Sequence, residues 1–128
     1  MQRVTFTGTV FSGTGEGRRF IELPWVRRQI EEKLGFTPYS GTLNIHLNKE
    51  SIGRKKLLEK AKRLEVCPEK GYCTGILIKA CTDCTECAVI MPQIPSYPND
   101  VLEVIAPWYL RERLNLSDGS EVAVTITV

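Results

Sequence analysis

Apolar and polar residues alternate from the start of the chain. Val4, Phe6 and Val10 interleave with Arg3, Thr5, Thr7 and Thr9, the two-residue period of a half-buried strand that the pattern enters directly after Met1. This strand runs into Gly13-Thr14-Gly15-Glu16-Gly17-Arg18-Arg19. Phe20, Ile21 and Leu23 then resume an apolar pattern, so the glycine-rich segment is expected to be a loop between two strand-like arms. Pro24 suits the first turn of a helix, and Val26, Ile30 and Leu34 follow at four-residue spacing before Gly35, a natural left-handed stop. Pro38-Tyr39-Ser40-Gly41 reads as a turn. From Thr42 to Leu47 the alternation returns, with Leu43, Ile45 and Leu47 on an inner strand face and Thr42, Asn44 and His46 on the other.

Ser51 could cap a second helix through about Leu64, with Leu57, Leu58, Ala61 and Leu64 as its apolar stripe and a basic face toward solvent. Cys73 to Ala80 and Cys87 to Met91 read as two strands of a hairpin joined across Cys81 to Glu86. Pro92, Pro95 and Pro98 impose an extended loop, after which Val101 to Ile105 forms a strand carrying one carboxylate, Glu103, in an apolar run. Pro107 opens a short helix through Leu114. Past the turn at Leu116-Ser117-Asp118-Gly119, Val122, Val124, Ile126 and Val128 alternate with polar neighbours as the closing strand. Many short strands with a few short helices predict a mainly β fold, a single small closed β-barrel.

At 128 residues the chain fits one domain, 1–128, with no added helix-turn-helix domain expected. A formal charge of +2 does not call for a nucleic-acid partner, so any anion recognition has to be local. No apolar run reaches membrane-spanning length and no signal-type sequence precedes the first strand pattern, which makes a cytoplasmic protein without a membrane partner the expectation.

Candidate chemistry concentrates in the glycine segment. Three alternate glycines permit φ > 0 and let backbone N–H groups turn toward an anion, and the two arginines add charge and forked donors. A glycine-rich hairpin with solvated arginines is the competing reading. The chain has no G-x-x-x-x-G-K-[ST] sequence, so a phosphate cradle would be formed by the backbone of Thr14 to Arg19. Among five cysteines, Cys81-x-x-Cys84-x-x-Cys87 invites a structural zinc site, in competition with reduced thiols that fill space, a disulfide, or a redox-sensitive cluster. His46 is the sole histidine and lacks a G-x-S-x-G partner motif, which argues against a conventional hydrolase triad.

Three segments occur in a recognisable order: the glycine loop, Leu34-Gly35-Phe36-Thr37-Pro38-Tyr39-Ser40-Gly41-Thr42-Leu43-Asn44, and the tail from Glu103 through Pro107-Trp108-Tyr109-Leu110-Arg111-Glu112 to Asp118-Gly119. Together they resemble the archaeal CTP-dependent riboflavin kinases. The resemblance implies a cradle-loop barrel of the riboflavin-synthase-like type and the conversion of CTP and riboflavin to CDP and flavin mononucleotide (FMN). It implies Mg²⁺ on Thr42 and Asn44, and nucleotide contacts from Thr14, Gly15, Glu16, Gly17, Arg18 and Arg19. Tyr109, Leu110, Arg111 and Glu112 would complete the nucleotide site, and Glu103 would contact the flavin. A carboxylate within hydrogen-bond reach of the reacting hydroxyl also suits a general base. The family usually places a threonine where Pro95 stands here, and Ser96, one residue on, restores a hydroxyl for the flavin. Two alternatives stand beside this reading. One is a swapped-hairpin-barrel DNA-binding regulator, whose half-motif the tail from Leu110 to Val122 also resembles. The other is a non-catalytic flavin- or nucleotide-binding relative.

Overall fold

Alternation becomes β-structure wherever one strand face meets a core. The computed structural model describes residues 2–128, so Met1, where the first pattern opens, lies outside the described residues. In chain order the elements are β1 (Arg3–Phe11), α1 (Glu16–Glu22), α2 (Pro24–Leu34), β2 (Leu43–Leu47), α3 (Lys49–Arg54), a 3-10 helix (Lys55–Lys60), β3 (Leu64–Val66), β4 (Gly75–Thr82), β5 (Thr85–Pro92), β6 (Val101–Ile105), α4 (Leu110–Arg113) and β7 (Glu121–Thr127). All strand pairings are antiparallel, in the order β3-β4-β5-β6-β2-β1-β7. β7 returns to β4 through the register pair Cys81↔Thr125, which closes six strands into a barrel and leaves β3 as an added edge. The Thr82 hydroxyl reinforces that junction by donating to the Ala123 carbonyl at 2.8 Å.

Two apolar clusters hold the fold. Phe6, Val10, Ile45, Val89, Leu102 and Val124 fill the barrel. Outside it, Ile21, Val26 and Ile30 from α1 and α2 cover Leu77, Ile90 and Ile105 on the opposite sheet face. Each such side chain contributes about 1.5–3 kcal/mol when fully buried. Burial on both faces explains why β4 and β5 read as continuous apolar runs rather than alternating ones.

The expected second arm after the glycine loop is instead the helix α1. It has seven residues and one fully buried side chain, Ile21, too little for a 3.6-residue period to show, so the spacing of Ile21 and Leu23 imitated a strand. Gly15, at φ 87°, makes the left-handed turn into it. The helix expected from Ser51 to Leu64 is also different. Asn48 caps α3 by accepting from the Ser51 N–H at 2.9 Å, the segment tightens to the 3-10 helix after Arg54, and Leu64 already belongs to β3. Ser51 is fully buried and its Oγ accepts from the Thr7 N–H at 2.7 Å, docking α3 on β1. The β4–β5 turn is tighter than Cys81 to Glu86. Asp83 and Cys84 alone bridge the strands, both at positive φ as a type I′ two-residue hairpin requires. α4 occupies only Leu110–Arg113 of the segment from Pro107 to Leu114. Among the described residues no helix is long and apolar enough to cross a membrane.

Candidate active site

Strand register lays four residues in one row across the outer face of the barrel: Phe11 on β1 faces Asn44 on β2, Asn44 faces Glu103 on β6, and Glu103 faces Ile90 on β5. Their sequence neighbours Val10, Ile45, Leu102 and Val89 point into the barrel, so the pleat alone fixes which way the row looks. Two polar groups thus sit between two apolar ends.

Glu103 is the hub. Thr42, on the same face of the chain as Asn44, donates from Oγ1 to Glu103 Oε1 at 3.0 Å, and Tyr97 donates from its phenol to Oε2 at 2.5 Å. The Asn44 amide is best satisfied with its nitrogen donating to Glu103 Oε1 at 3.3 Å and its oxygen accepting from the Gly13 N–H at 3.3 Å. A half-buried carboxylate is costly without partners, and here both oxygens have them.

The glycine segment lies directly on this cluster. A Cβ placed on Gly13 would come 2.6 Å from the end of the Asn44 amide. At Gly17 it would come 2.6 Å from Thr42 Oγ1 and 2.7 Å from Glu103 Oε1. Close approach favours glycine at these two positions, since any side chain would displace either the main chain or the polar side chains of the row.

A cavity of about 880 Å³ opens over the row. Thr14, Gly15, Glu16, Gly17 and Arg18 line one side, and Thr42, Asn44 and Glu103 form the floor. Toward β5 the walls turn apolar and aromatic, with Phe20, Tyr72, Ile90, Pro92, Ile94 and Tyr97. Trp25 braces this wall from behind, edge-on to Phe20 and Tyr72 with ring centroids 6.0 and 5.2 Å away. At the opposite end stand Phe11, His46, Tyr109 and Arg111, with the His46 ring stacked on Phe11 at 3.9 Å. The cavity therefore has an apolar, aromatic end, a polar centre and a backbone-rich flank carrying Glu16 and Arg18.

Most of the residues expected at the site meet here, and four do not. Arg19 points to solvent outside the cavity. Leu110 is buried in the barrel-end core, and Glu112 is exposed away from the cavity, because the single turn of α4 spreads its side chains in different directions. Ser96 is exposed and takes no part in the lining, whereas its neighbour Tyr97 turns inward onto Glu103. No pattern in the sequence marks Tyr97, whose placement follows from the path of the proline-rich loop. Arg111 reaches the cavity, but its Nη2 donates to Asp118 Oδ1 at 2.8 Å and to the Phe11 carbonyl at 3.3 Å. Hydrogen bonds from Arg111 and then Ser12 hold the Asp118 carboxyl below the usual carboxylate range. Arg111 thus ties the start of the glycine segment to the turn before β7.

The zinc expectation for Cys81, Cys84 and Cys87 is corrected. All five cysteines are free, and among the described residues no three His, Cys, Asp or Glu side chains gather as a metal-binding group. Cys87 turns into the barrel core while Cys84 is exposed at the hairpin tip. Burial first, then Cys81 and Glu86, pushes the Cys87 thiol up to about 12. Only the thiolate attacks, so Cys87 remains a neutral filler at mildly alkaline pH. Brief alkylation of the native protein followed by peptide mass mapping is expected to label exposed Cys67 and Cys84 and leave Cys87 unmodified; equal labelling of Cys87 would contradict its burial.

Comparison with known proteins bears on this cavity. The family model CTP-dep_RFKase, described as "Domain of unknown function DUF120", matches residues 10–126. Curated relatives named riboflavin kinase include one from Pyrobaculum aerophilum, 41% identical over 96% of this chain, and one from Methanocorpusculum labreanum, 38% identical over 98%. Another, from Saccharolobus solfataricus, is 36% identical over 100% of the chain. The chain spans 60% of the length of the first of these, 58% of the second and 77% of the third.

Proposed function

The chain belongs to the CTP-dependent riboflavin kinase family, and from that premise we propose that it transfers the terminal phosphoryl group of CTP to riboflavin, giving FMN and CDP. The observation that carries the reading is the close seating of Gly13 and Gly17 on Asn44, Thr42 and Glu103, which puts a phosphate-compatible main chain against a polar cluster inside one cavity. Phosphoryl transfer asks for little covalent help and mostly for positioning and charge neutralisation. In this reading residues 1–128 act as one kinase domain.

The triphosphate lies along the backbone of Thr14 to Gly17 with Arg18 beside it, and Tyr109 faces the nucleoside. The flavin ring enters the apolar end between Phe20, Tyr72, Ile90 and Tyr97, which supply the flat contact area an aromatic ring system needs. Its ribityl chain then runs toward Glu103. The terminal hydroxyl oxygen forms a bond to the γ-phosphorus as the bond from that phosphorus to the β–γ bridging oxygen breaks, and the hydroxyl proton passes to the Glu103 carboxylate. CDP carries the bridging oxygen away.

Thr42 and Asn44 offer neutral oxygens beside a carboxylate, without the ring of acidic groups that a calcium cage requires. That donor set fits Mg²⁺, which accepts one or two protein ligands and takes the rest from phosphates and water. When bound, the ion would neutralise charge on the transferring phosphoryl group. Thr42 and Asn44 would hold it, and Glu103 would stay free for the acceptor hydroxyl.

The test incubates the protein with riboflavin, Mg²⁺ and each of the four nucleoside triphosphates in turn, reading FMN by chromatography. FMN formed foremost with CTP is the expected result. Tight flavin binding with no FMN from any triphosphate would reduce the protein to a non-catalytic relative.

A further inference from the structure

Resting on the kinase reading, we propose that Tyr97 is a positioning residue for the acceptor end of the site: its phenol fixes one oxygen of Glu103 so that the carboxylate stays aimed at the incoming alcohol. Neither the family match nor the relatives' names assign this residue a role.

Glu103 rises from a strand with a flexible side chain, and a proton acceptor is effective only when held in the reacting geometry. Thr42 restrains Oε1 at 3.0 Å, and Tyr97 restrains Oε2 at 2.5 Å. A carboxylate gripped at both oxygens, Oε1 by Thr42 and Asn44 and Oε2 by Tyr97, has lost its freedom to rotate and keeps acceptor capacity on Oε2. The Tyr97 ring is itself restrained. It lies in the loop between Pro95 and Pro98, and the Lys55 ammonium sits 5.7 Å from its centroid. The same ammonium donates to the Val101 carbonyl at 3.0 Å and the Pro98 carbonyl at 3.5 Å, pinning the loop to the start of the 3-10 helix. Lys55 thus anchors Tyr97, and Tyr97 anchors Glu103. Burial, followed by the Glu103 hydrogen bond and charge, drives the phenol pKa upward, so Tyr97 keeps its proton and remains a donor.

The position also bears on substrate choice. Tyr97 lines the apolar end with its ring and reaches the polar centre with its hydroxyl, joining the place where a flat ring system would rest to the place where an alcohol would react. An acceptor must therefore present both an aromatic body and a flexible polyol arm of suitable reach, and a simple sugar alcohol fills only half of the site.

The experiment compares wild type, Tyr97→Phe, Glu103→Gln and the double variant with CTP and riboflavin. Tyr97→Phe is expected to lower kcat about tenfold, the usual effect of losing a hydrogen bond to a charged group, with KM for CTP unchanged. The double variant should be no slower than Glu103→Gln alone, because Tyr97 acts through Glu103. Wild-type kcat in Tyr97→Phe, or losses that multiply in the double variant, would overturn the assignment. So would an equal change in kcat and in KM for CTP accompanied by a lower melting temperature, which marks a purely structural role. Should Tyr97→Phe fail to fold, wild-type NMR decides the matter: a slowly exchanging phenolic proton that disappears in Glu103→Gln is expected, and its absence from wild type rejects the contact. A wild-type protein that makes no FMN defeats the kinase reading itself, whereas an active wild type with an unaffected Tyr97→Phe defeats only the role of Tyr97.

Discussion

Gly17→Ala is expected to lower kcat/KM about a hundredfold or more while leaving the protein folded, since displacing reacting groups by about 1 Å is enough for such a loss. The added methyl group would come 2.6 Å from Thr42 Oγ1 and 2.7 Å from Glu103 Oε1, well inside contact distance. Neither neighbour can simply step aside. Thr42 immediately precedes β2 and donates to Glu103, and Glu103 sits on β6 and is further held by Tyr97. The strain is relieved by lifting the first turn of α1, which moves the phosphate-facing main chain away from the polar row. Gly17 lies within that helix, where alanine is intrinsically better by about 1 kcal/mol, so helix propensity works against any loss of stability. Activity and melting temperature measured on the same preparation should separate. An active Gly17→Ala enzyme would mean that the close approach has no part in catalysis.

Removing the amide at position 44 attacks the same cluster from below. Asn44→Ala deletes the oxygen assigned to Mg²⁺, the partner of the Gly13 N–H and a donor to Glu103 in one step. Losing ion-mediated charge stabilisation of a few kcal/mol corresponds to a fall in kcat on the order of a thousandfold. The folded state should lose only about 1–2 kcal/mol, the scale of one or two hydrogen bonds, because the side chain is half-buried on the outer face of the barrel. Titrating Mg²⁺ provides the discriminating measurement. A variant whose activity saturates at much higher Mg²⁺ than wild type places Asn44 on the ion, and an unchanged Mg²⁺ dependence removes it from that role.

The strands that face a core on one side were legible from alternation. β1, β2, β6 and β7 all fall where the pattern places them, and with them the shared outward face of Thr42, Asn44 and His46. Knowing the pleat, however, does not reveal the neighbour. That Asn44 stands opposite Glu103 depends on the pairing of strands separated by some fifty intervening residues, which periodicity does not encode. Short elements were read least well. α1 reads as a strand because its single buried residue, Ile21, leaves no 3.6-residue period in the sequence, and α3 gives way to a 3-10 helix after Arg54. At the site, motif residues in the glycine segment and on β2 and β6 converged as expected. Ser96, the hydroxyl expected near Pro95, is exposed, while the next residue, Tyr97, turns inward onto Glu103, because side-chain reach across a bent loop is not a property of linear spacing.

The closed ring has a bearing on how the molecule breathes. In a six-strand circuit the β7–β4 junction lies diametrically across from the β2–β6 junction. The former is joined at one register pair, the latter at four, including Asn44 opposite Glu103. Hydrogen exchange of backbone amides is expected to be faster along the β7–β4 junction, where the ladder is thinnest, than along β2–β6. The thinnest strand junction and the junction that carries the polar row thus lie on opposite sides of one small barrel.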